Sequence, residues 1–238
     1  MFKVFERLFR DKIATEPISF EGSDRFRGPI AGKGELAELK DCEKICPVGA
    51  FAVQDDDYKI DYRKCLFCGQ CVEKCTGLSH ENIDAMPVIL NNATEVTAAV
   101  IRQKLGRSLH VRHLDAGSCN ACDFEMGAMS NPYYDLHRFG VHFDASPRHA
   151  DLLMVTGVVT RNLEAALRMS YEAMPEPKLV MACGACAAGG ETYGASYAIV
   201  GAADAVVPVD IYVPGCPPRP SAMIAGLLAA ADMLAKRL

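Results

Sequence analysis

Residues 109–125 read LHVRHLDAGSCNACDFE, and this stretch carries the pattern that decides the fold. The run Leu109–Leu114 predicts a strand, and Phe124–Met129, beyond two cysteines, predicts a short helix. Lys178–Ala182 and Val206–Val213 are two further predicted strands, and each is also followed by a loop that contains cysteine. Strands that alternate with helices predict a parallel α/β sheet.

The rest of the carboxyl-terminal part extends this pattern. Val141–Phe143 and Leu152–Thr156 are strand-like, whereas Arg161–Met174 and Pro218–Arg237 are predicted helices, the last with proline at its start. Asn92 or Thr94 is a predicted cap for a further helix over Glu95–Leu105. The first ninety residues instead begin with a polar segment over residues 11–40, predicted to be a covering loop. Short β-like segments follow it at Ala50–Val53 and Lys59–Asp61.

Composition excludes several classes of function. The chain has 238 residues, half of them apolar, and a net charge of −5, so it offers no basic excess for binding nucleic acid. The apolar runs Leu179–Gly190 and Ala222–Ala231 are too short to cross a bilayer. Residues 1–10 predict a short amphipathic helix that packs on its own domain, and a docking helix for a partner or a membrane surface is the alternative. The amino terminus shows neither the apolar h-region nor the cleavage site of a signal peptide, so we expect a cytoplasmic protein.

Eleven cysteines are the unusual feature of the composition. In a cytosolic chain of this length, clustered cysteines are more often ligands of a metal or an iron–sulfur cluster than disulfides. They fall into two groups, which suggests two metal-bearing units. The first group is Cys42, Cys46, Cys65, Cys68, Cys71 and Cys75, and the second is Cys119, Cys122, Cys183, Cys186 and Cys216.

The spacing of the first group is that of one half of a bacterial two-cluster ferredoxin. Cys65, Cys68 and Cys71 follow one another at three-residue steps, which suits a 4Fe–4S cluster better than zinc. In such proteins the cysteine before a proline serves the cluster of the other motif. Here that cysteine is Cys46, which precedes Pro47. We therefore assign Cys46, Cys65, Cys68 and Cys71 to one 4Fe–4S cluster.

A second ferredoxin cluster lacks its ligands. It requires cysteines three and six residues before Cys42, where this chain has Leu39 and Leu36. We expect these apolar side chains to fill the place of the cluster. Cys42 and Cys75 are then left over, and we expect their thiols to approach each other as a buried contact or a disulfide.

The sequence around the first group resembles the ferredoxin-like subunit of complex I and of related membrane hydrogenases. The residues that carry this resemblance are Asp24–Gly28, Cys46–Gly49 and Tyr62–Gly69. The missing second cluster is a departure from that family.

The second cysteine group is spread along the sequence but follows the predicted strands. The carboxyl ends of parallel strands meet at one edge of a sheet, where ligands bind, so these cysteines are expected to converge there. Nearby glycines allow the backbone to approach a bulky cluster closely. Four thiolates also suit zinc, so spacing alone leaves a structural zinc site open.

Four motifs in the second part carry a more specific resemblance: Gly117–Glu125, Pro147–Asp151, Gly184–Cys186 and Pro214–Pro218. They resemble the small subunit of energy-converting, membrane-bound NiFe hydrogenases of the formate-hydrogenlyase and hydrogenase-4 types. That subunit is homologous to the complex I 20 kDa subunit, which holds the terminal cluster beside the quinone. Complex I proteins have two adjacent cysteines in the first motif, whereas this chain has the hydrogenase-like spacing of Cys119 and Cys122.

The resemblance implies which residues bind the proximal 4Fe–4S cluster and leaves Cys183 outside the family pattern, as a small buried residue. It also places Glu125 beside the cluster, either as a proton-coupling carboxylate or as an ordinary acidic residue of a first helical turn. We expect Arg148, His149 and Asp151 to orient a loop through charge-assisted hydrogen bonds, and proton handling by His149 is the alternative. The implied ligands are Cys119, Cys122, Cys186 and Cys216.

The fold expected from these features is α/β, a flavodoxin-like open parallel sheet with a small amino-terminal ferredoxin-like domain. The domains would be residues 1–90 with one cluster, a linker and helix over 91–108, and residues 109–238 with the proximal cluster. No motif for substrate chemistry is present in the chain.

By resemblance, the function is that of an electron-transfer subunit of an energy-converting NiFe hydrogenase-type complex. The implied partners are a large NiFe hydrogenase-like subunit, membrane subunits, and an electron donor of the ferredoxin or formate dehydrogenase type. The chain would then lie peripherally on the cytoplasmic face of the membrane. The alternatives are a nickel-free, complex I-like oxidoreductase that reduces a quinone or other acceptor, and a structural zinc-binding module.

Overall fold

A computed structural model describes residues 26–55, 57–83, 89–90, 105–190 and 192–237. The helix expected over residues 1–10 and nearly all of the helix expected over Glu95–Leu105 lie outside the described residues. So does most of the expected linker.

The amino-terminal part contains two short antiparallel pairs of strands and two helices. β1 (Ile30–Gly32) aligns antiparallel with β4 (Leu78–His80), and β2 (Phe51–Gln54) with β3 (Asp57–Ile60). The helices are α1 (Leu36–Ile45) and α2 (Gln70–Lys74).

Helix α1 was not expected, because the sequence predicted a covering loop over residues 11–40 and then short β-like pieces around the first cysteine group. Leu39 and Cys42 lie on its buried side and pack against Phe51, Cys75 and Leu78 in a small core. The helix is thus stabilised by burial of a narrow apolar stripe against distant residues. Its own sequence is short and rich in charged residues, so it does not predict a helix by itself.

The carboxyl-terminal part is a doubly wound α/β sheet. Its five parallel strands lie in the order β7-β6-β8-β10-β12, and β5 pairs antiparallel with β12 at the far edge. Counting the parallel strands along the chain gives the order 2-1-3-4-5, which is that of the flavodoxin-like fold. The expected fold class is confirmed. The strands of this sheet are β5 (Ile89–Leu90), β6 (Leu109–Asp115), β7 (Val141–Phe143), β8 (Leu152–Thr156), β10 (Leu179–Cys183) and β12 (Ile211–Val213).

The helices cover both faces of this sheet, and β9 (Val159–Thr160) pairs with β11 (Ile199–Gly201) beside it. Alternate residues of β8 enter different cores: Met154 packs on the side of α6, and Val155 on the side of α4. The helices are α3 (Ala121–Ala128), α4 (Arg161–Ala173), α5 (Ala185–Gly189) and α6 (Pro220–Arg237).

The last strand is shorter than the sequence suggests. A strand was expected over Val206–Val213, but only Ile211–Val213 pairs with β10, after a 3-10 turn at Ala203–Ala205. Pro208 interrupts the run, and proline has no N–H to donate to a ladder.

The two parts of the chain share one interface. A Cβ added at Gly189 on α5 would lie 2.7 Å from the Arg63 carbonyl oxygen, so only glycine permits this backbone approach. On the other side of the contact, the Arg219 guanidinium lies 4.0 Å from the centroid of the Phe26 ring. The cysteine-bearing loops of the two parts are therefore held against each other.

Candidate functional site

The carboxyl edge of the sheet positions the second cysteine group. One row across the sheet aligns Asp115, Thr156, Cys183 and Val213 through the parallel registers. Each of these strands is followed within two residues by a glycine with a positive φ angle, which turns the backbone sharply into the next loop. These glycines are Gly117, Gly157, Gly184 and Gly215.

The loops after these strands bring four cysteines together. Cys122 and Cys186 are buried, whereas Cys119 and Cys216 lie at the exposed edge. Burial raises the pKa of the Cys122 thiol to about 12, and the charges of the other three thiolates add to the effect. The structure therefore groups the four residues for which the resemblance implied a cluster.

Gly184 makes the close approach of these loops possible. A Cβ at this position would lie 2.7 Å from the Cys122 sulfur, and φ is +90°. Its amide donates to the Val213 carbonyl oxygen at 2.8 Å, and the Ala185 amide donates to the Gly215 carbonyl oxygen at 2.8 Å. These bonds fix the Cys186 helix against the Cys216 loop.

Two residues of the following loop were not identified from the sequence. The Tyr193 hydroxyl donates a hydrogen bond to the Cys119 sulfur, which raises the pKa of the tyrosine to about 12. The Thr192 hydroxyl is buried beside the Cys186 thiol and lowers its pKa, against a larger upward effect of burial. No sequence spacing points to them, because they reach the site only after α5 turns the chain back.

Cys183 is not part of this group of four. It is fully buried in the core with Val213 and Met223, and burial raises the pKa of its thiol well above the usual range. This placement agrees with a small apolar residue at the end of a strand.

The first cysteine group surrounds a small apolar cavity. Cys46, Cys65, Cys68 and Cys71 all line it, together with the side chains of Ile30, Val48, Phe51 and Ile60 and the loop through Phe67. Cys42 and Cys75 do not line this cavity. The structure thus brings together the four cysteines that the ferredoxin spacing selected.

Backbone amides point at the sulfurs of this cavity. The Ala50 N–H donates to the Cys46 sulfur at 3.2 Å, and the Phe67 N–H donates to the Cys65 sulfur at 3.4 Å. Phe67 has φ +53° and Gly69 φ +83°, so the loop curls around the cavity. Burial raises the pKa of the Cys65 thiol to about 12, while the Phe67 amide acts in the opposite direction.

Cys42 and Cys75 touch each other in the small amino-terminal core. Both side chains have no exposed surface, and each is a free thiol. Burial and a hydrogen bond with Cys75 raise the pKa of Cys42 to about 12, and the Cys42 sulfur lies 3.5 Å from the Cys71 carbonyl oxygen. Leu39 packs beside the pair, whereas the side chain of Leu36 lies outside the described part of the chain.

The carboxylate that forms hydrogen bonds beside Cys122 is Asp123, not Glu125. Asp123 accepts hydrogen bonds from Ser118 and Thr156, whereas Glu125 is a half-buried residue of α3. The sequence offered one signal for this contact: Thr156 is the polar end of an otherwise apolar strand.

The loop with Arg148 and His149 is held differently from what the sequence suggested. Asp151 accepts two hydrogen bonds from Arg107, at 2.7 and 2.8 Å, and one from the His110 amide at 3.0 Å. Arg148 and His149 are exposed, and their backbone amides contact Ser146.

The donor chemistry of both groups fits an iron–sulfur cluster. Each offers four thiols in an apolar setting, with amides or hydroxyls directed at sulfur, as cluster sites require. Among the described residues, no three His, Cys, Asp or Glu side chains lie close enough to hold a single metal ion.

Comparisons with known proteins match the carboxyl-terminal part. Residues 119–230 match the family model described as NADH ubiquinone oxidoreductase, 20 kDa subunit. The probable membrane-bound hydrogenase subunit mbhJ of Pyrococcus furiosus is 47% identical over 134 residues, 56% of this chain and 80% of that protein. Formate hydrogenlyase subunit 7 of Escherichia coli is 36% identical over 153 residues, 64% of this chain and 60% of that protein.

A solved structure is also similar. It is a chain of the membrane-bound sulfane sulfur reductase, an archaeal respiratory membrane complex, with 36% identity and a TM-score of 0.48. The match covers 57% of this chain and 73% of that chain.

Proposed function

Because this chain belongs to the family of the NADH ubiquinone oxidoreductase 20 kDa subunit and its membrane-bound hydrogenase relatives, we propose that it is an electron-transfer subunit of a hydrogenase-type complex. Two 4Fe–4S clusters, bound at its two cysteine groups, would supply one-electron carriers between a donor and the active site of a large subunit. The first ligand group is Cys46, Cys65, Cys68 and Cys71, and the second is Cys119, Cys122, Cys186 and Cys216.

The observation that carries this proposal is that residues of both cysteine groups belong to one buried core. Cys65, Phe67 and Cys122 belong to the same buried core, although the sequence separates them widely. A second cavity is lined by Leu66 and Phe67 on one side and by Cys216–Pro218 on the other. Residues next to both ligand groups therefore line one cavity, together with the arginines Arg27 and Arg219.

Aromatic side chains of the first group shield the buried Cys65 from water. Phe67 stacks on Tyr62 with ring centroids 5.8 Å apart, and the Tyr62 hydroxyl accepts a hydrogen bond from the Ile30 amide at 3.0 Å. Burial and the number of N–H···S bonds are the means by which a protein sets the potential of such a site. The chain's own task is to fix the spacing and environment of the two groups.

We assign residues 1–90 to a ferredoxin-like domain, 91–108 to a linker and helix, and 109–238 to the proximal-cluster domain. The backbone of β5 (Ile89–Leu90) joins the sheet of the latter. In the described residues, none of the helices combines the length and apolarity needed to span a membrane. We place the chain peripherally, on the cytoplasmic face, through membrane subunits of the same complex.

The exposed edge of the second group suits the large partner subunit. Phe124, two residues after Cys122, is 79% exposed, and Tyr193 over Cys119 is 52% exposed. Exposed aromatic surface beside a buried site marks an interaction surface. A large NiFe hydrogenase-like subunit is the partner we assign to it, and a donor of the ferredoxin or formate dehydrogenase type would serve the first group.

The test is anaerobic purification of the full chain with its partner subunits. We expect about eight irons per chain, since each of two clusters holds four. Reduced protein should show two electron paramagnetic resonance (EPR) signals that broaden each other, because the two groups are packed together. Cys68→Ser should remove one signal and the broadening, whereas the matched variant Cys183→Ser should keep both. Stoichiometric zinc without iron would refute the proposal.

A further inference from the structure

A chain of hydrogen bonds that no cysteine motif requires connects the end of the sheet to the second cysteine group. The Thr156 hydroxyl donates to Asp123 Oδ1 at 3.0 Å, and the Ser118 hydroxyl lies 2.6 Å from Asp123 Oδ2. His113 Nε2 lies 2.9 Å from Thr156 Oγ1 and 3.1 Å from Asp123 Oδ1. Both carboxylate oxygens are therefore occupied by partners from β6, β8 and the loop before α3.

The chemistry of these groups favours one set of bond directions. An ionised carboxylate only accepts, so Thr156 satisfies Asp123 by giving it its single hydroxyl proton. The remaining lone pair of Thr156 then accepts from His113, which makes Nε2 the protonated nitrogen of the neutral ring. Burial lowers the pKa of His113 and so favours this neutral form. The Asp123 carboxylate thus lies among neighbouring hydroxyl groups, and the Ser118 hydroxyl among them also lies 3.0 Å from Asp115 Oδ2.

The position of this charge is determined by the sheet. Thr156 has no exposed surface and aligns with Cys183 in the register of β8 and β10. Asp123 follows Cys122 directly in the first turn of α3, and its charge acts on the thiols of both Cys122 and Cys183. A fixed negative charge beside a redox site disfavours addition of an electron there.

We propose that Asp123 sets the reduction potential of the second cysteine group's cluster, and that Thr156 and His113 are positioning residues which hold its carboxylate in place. This inference rests on the proposed function. It assigns a role to three residues outside the ligand set, and it predicts that the carboxylate makes the cluster harder to reduce.

The experiment is a redox titration of the full chain, followed by EPR at the second group's signal. Asp123→Asn keeps the shape of the side chain and removes its charge. We expect at least a tenfold change in the ratio of oxidised to reduced cluster at a fixed potential. For one electron this is a shift of about 59 mV toward positive potential. At an effective dielectric constant of about 20, a unit charge anywhere within about 12 Å of a redox site has an effect of at least this size.

Two variants of Thr156 separate positioning from folding. Thr156→Val removes the donor, so the partly exposed carboxylate can turn toward water, where its field is screened, and the potential should shift in the same direction by less. Thr156→Ser keeps the hydroxyl and should retain the wild-type potential. Glu164→Gln removes a surface carboxylate that pairs with Arg168 on α4, and serves as the control for a general loss of charge.

The outcomes distinguish this inference from the proposed function. Wild-type protein without a second EPR signal would overturn the proposed function, and the inference with it. An intact signal with Asp123→Asn within twofold of wild type would overturn the inference alone. If Asp123→Asn does not bind the second cluster, the two Thr156 variants test the inference instead. Equal reduction potentials in Thr156→Val and Thr156→Ser would refute the positioning role.

Discussion

Gly184→Ala is the substitution that most directly tests the geometry of the second cysteine group. The added Cβ would lie 2.7 Å from the Cys122 sulfur, far inside van der Waals contact. The backbone at this residue has φ +90° and ψ 156°, a region that only glycine adopts without strain. The substitution should therefore displace a proposed ligand as well as strain the chain.

The two effects can be given separate magnitudes. Backbone strain at such angles costs about 1–3 kcal/mol. Forcing a methyl group into a packed site costs typically a further ~1–3 kcal/mol. In a chain of this size, each kcal/mol lowers the melting temperature by about 2–4 °C. The displacement of Cys122 should also reduce the iron content of the second group.

Two other glycines provide matched controls. Gly194 has φ +68° with nothing within 4 Å of an added Cβ, so Gly194→Ala measures backbone strain alone, about 1–2 kcal/mol. Gly127 lies in α3 with open space around it, so Gly127→Ala should stabilise by about 0.5–1 kcal/mol. The assays are thermal unfolding of the full chain and iron determination under anaerobic conditions.

The reasoning is refuted if Gly184→Ala unfolds like Gly194→Ala and keeps its full iron content. That result would mean that the Cys122 sulfur can move freely, and that the close approach of the loops does not define the site.

Three further predictions follow from other parts of the structure. Cys183→Ala should keep about eight irons, whereas Cys186→Ala should lose about four, and equal iron contents of the two variants would contradict the assignment. Cys42→Ala and Cys75→Ala should each keep the EPR signal of the first group, and loss of that signal in either variant would make that cysteine a ligand. Burial lowers the pKa of His113 below its ordinary value of 6.5, so the unfolded chain binds more protons and stability falls as pH drops below 6.5. His113→Asn should flatten this decline in denaturant titrations between pH 7 and 5, and an unchanged slope would exclude the contribution.

The alternation of strands and helices from residue 109 could be predicted from the sequence. Leu152–Thr156 and Leu179–Cys183, for example, are short, mostly apolar runs that each end at a glycine. The resemblance of this part to the hydrogenase and complex I subunits is confirmed by the family model and the relatives. The helix Leu36–Ile45 was missed, since it depends on the burial of Leu39 and Cys42 against distant residues. The strand before Val213 was overestimated because Pro208 removes a donor from the ladder.

Residue type and spacing alone were sufficient to select Cys65, Cys68 and Cys71 as a group, because the three lie at three-residue steps in one short segment, which lines one cavity. The contacts of Asp123 with Thr156, and of Tyr193 with Cys119, were decided only by tertiary structure. Hydrogen bonds between residues about 30 or more positions apart depend on strand register and loop direction, and no local sequence pattern determines either of these. The burial of Cys65 and Cys122 in one core was likewise decided by tertiary structure, because it depends on how the amino-terminal and carboxyl-terminal parts of the chain pack together.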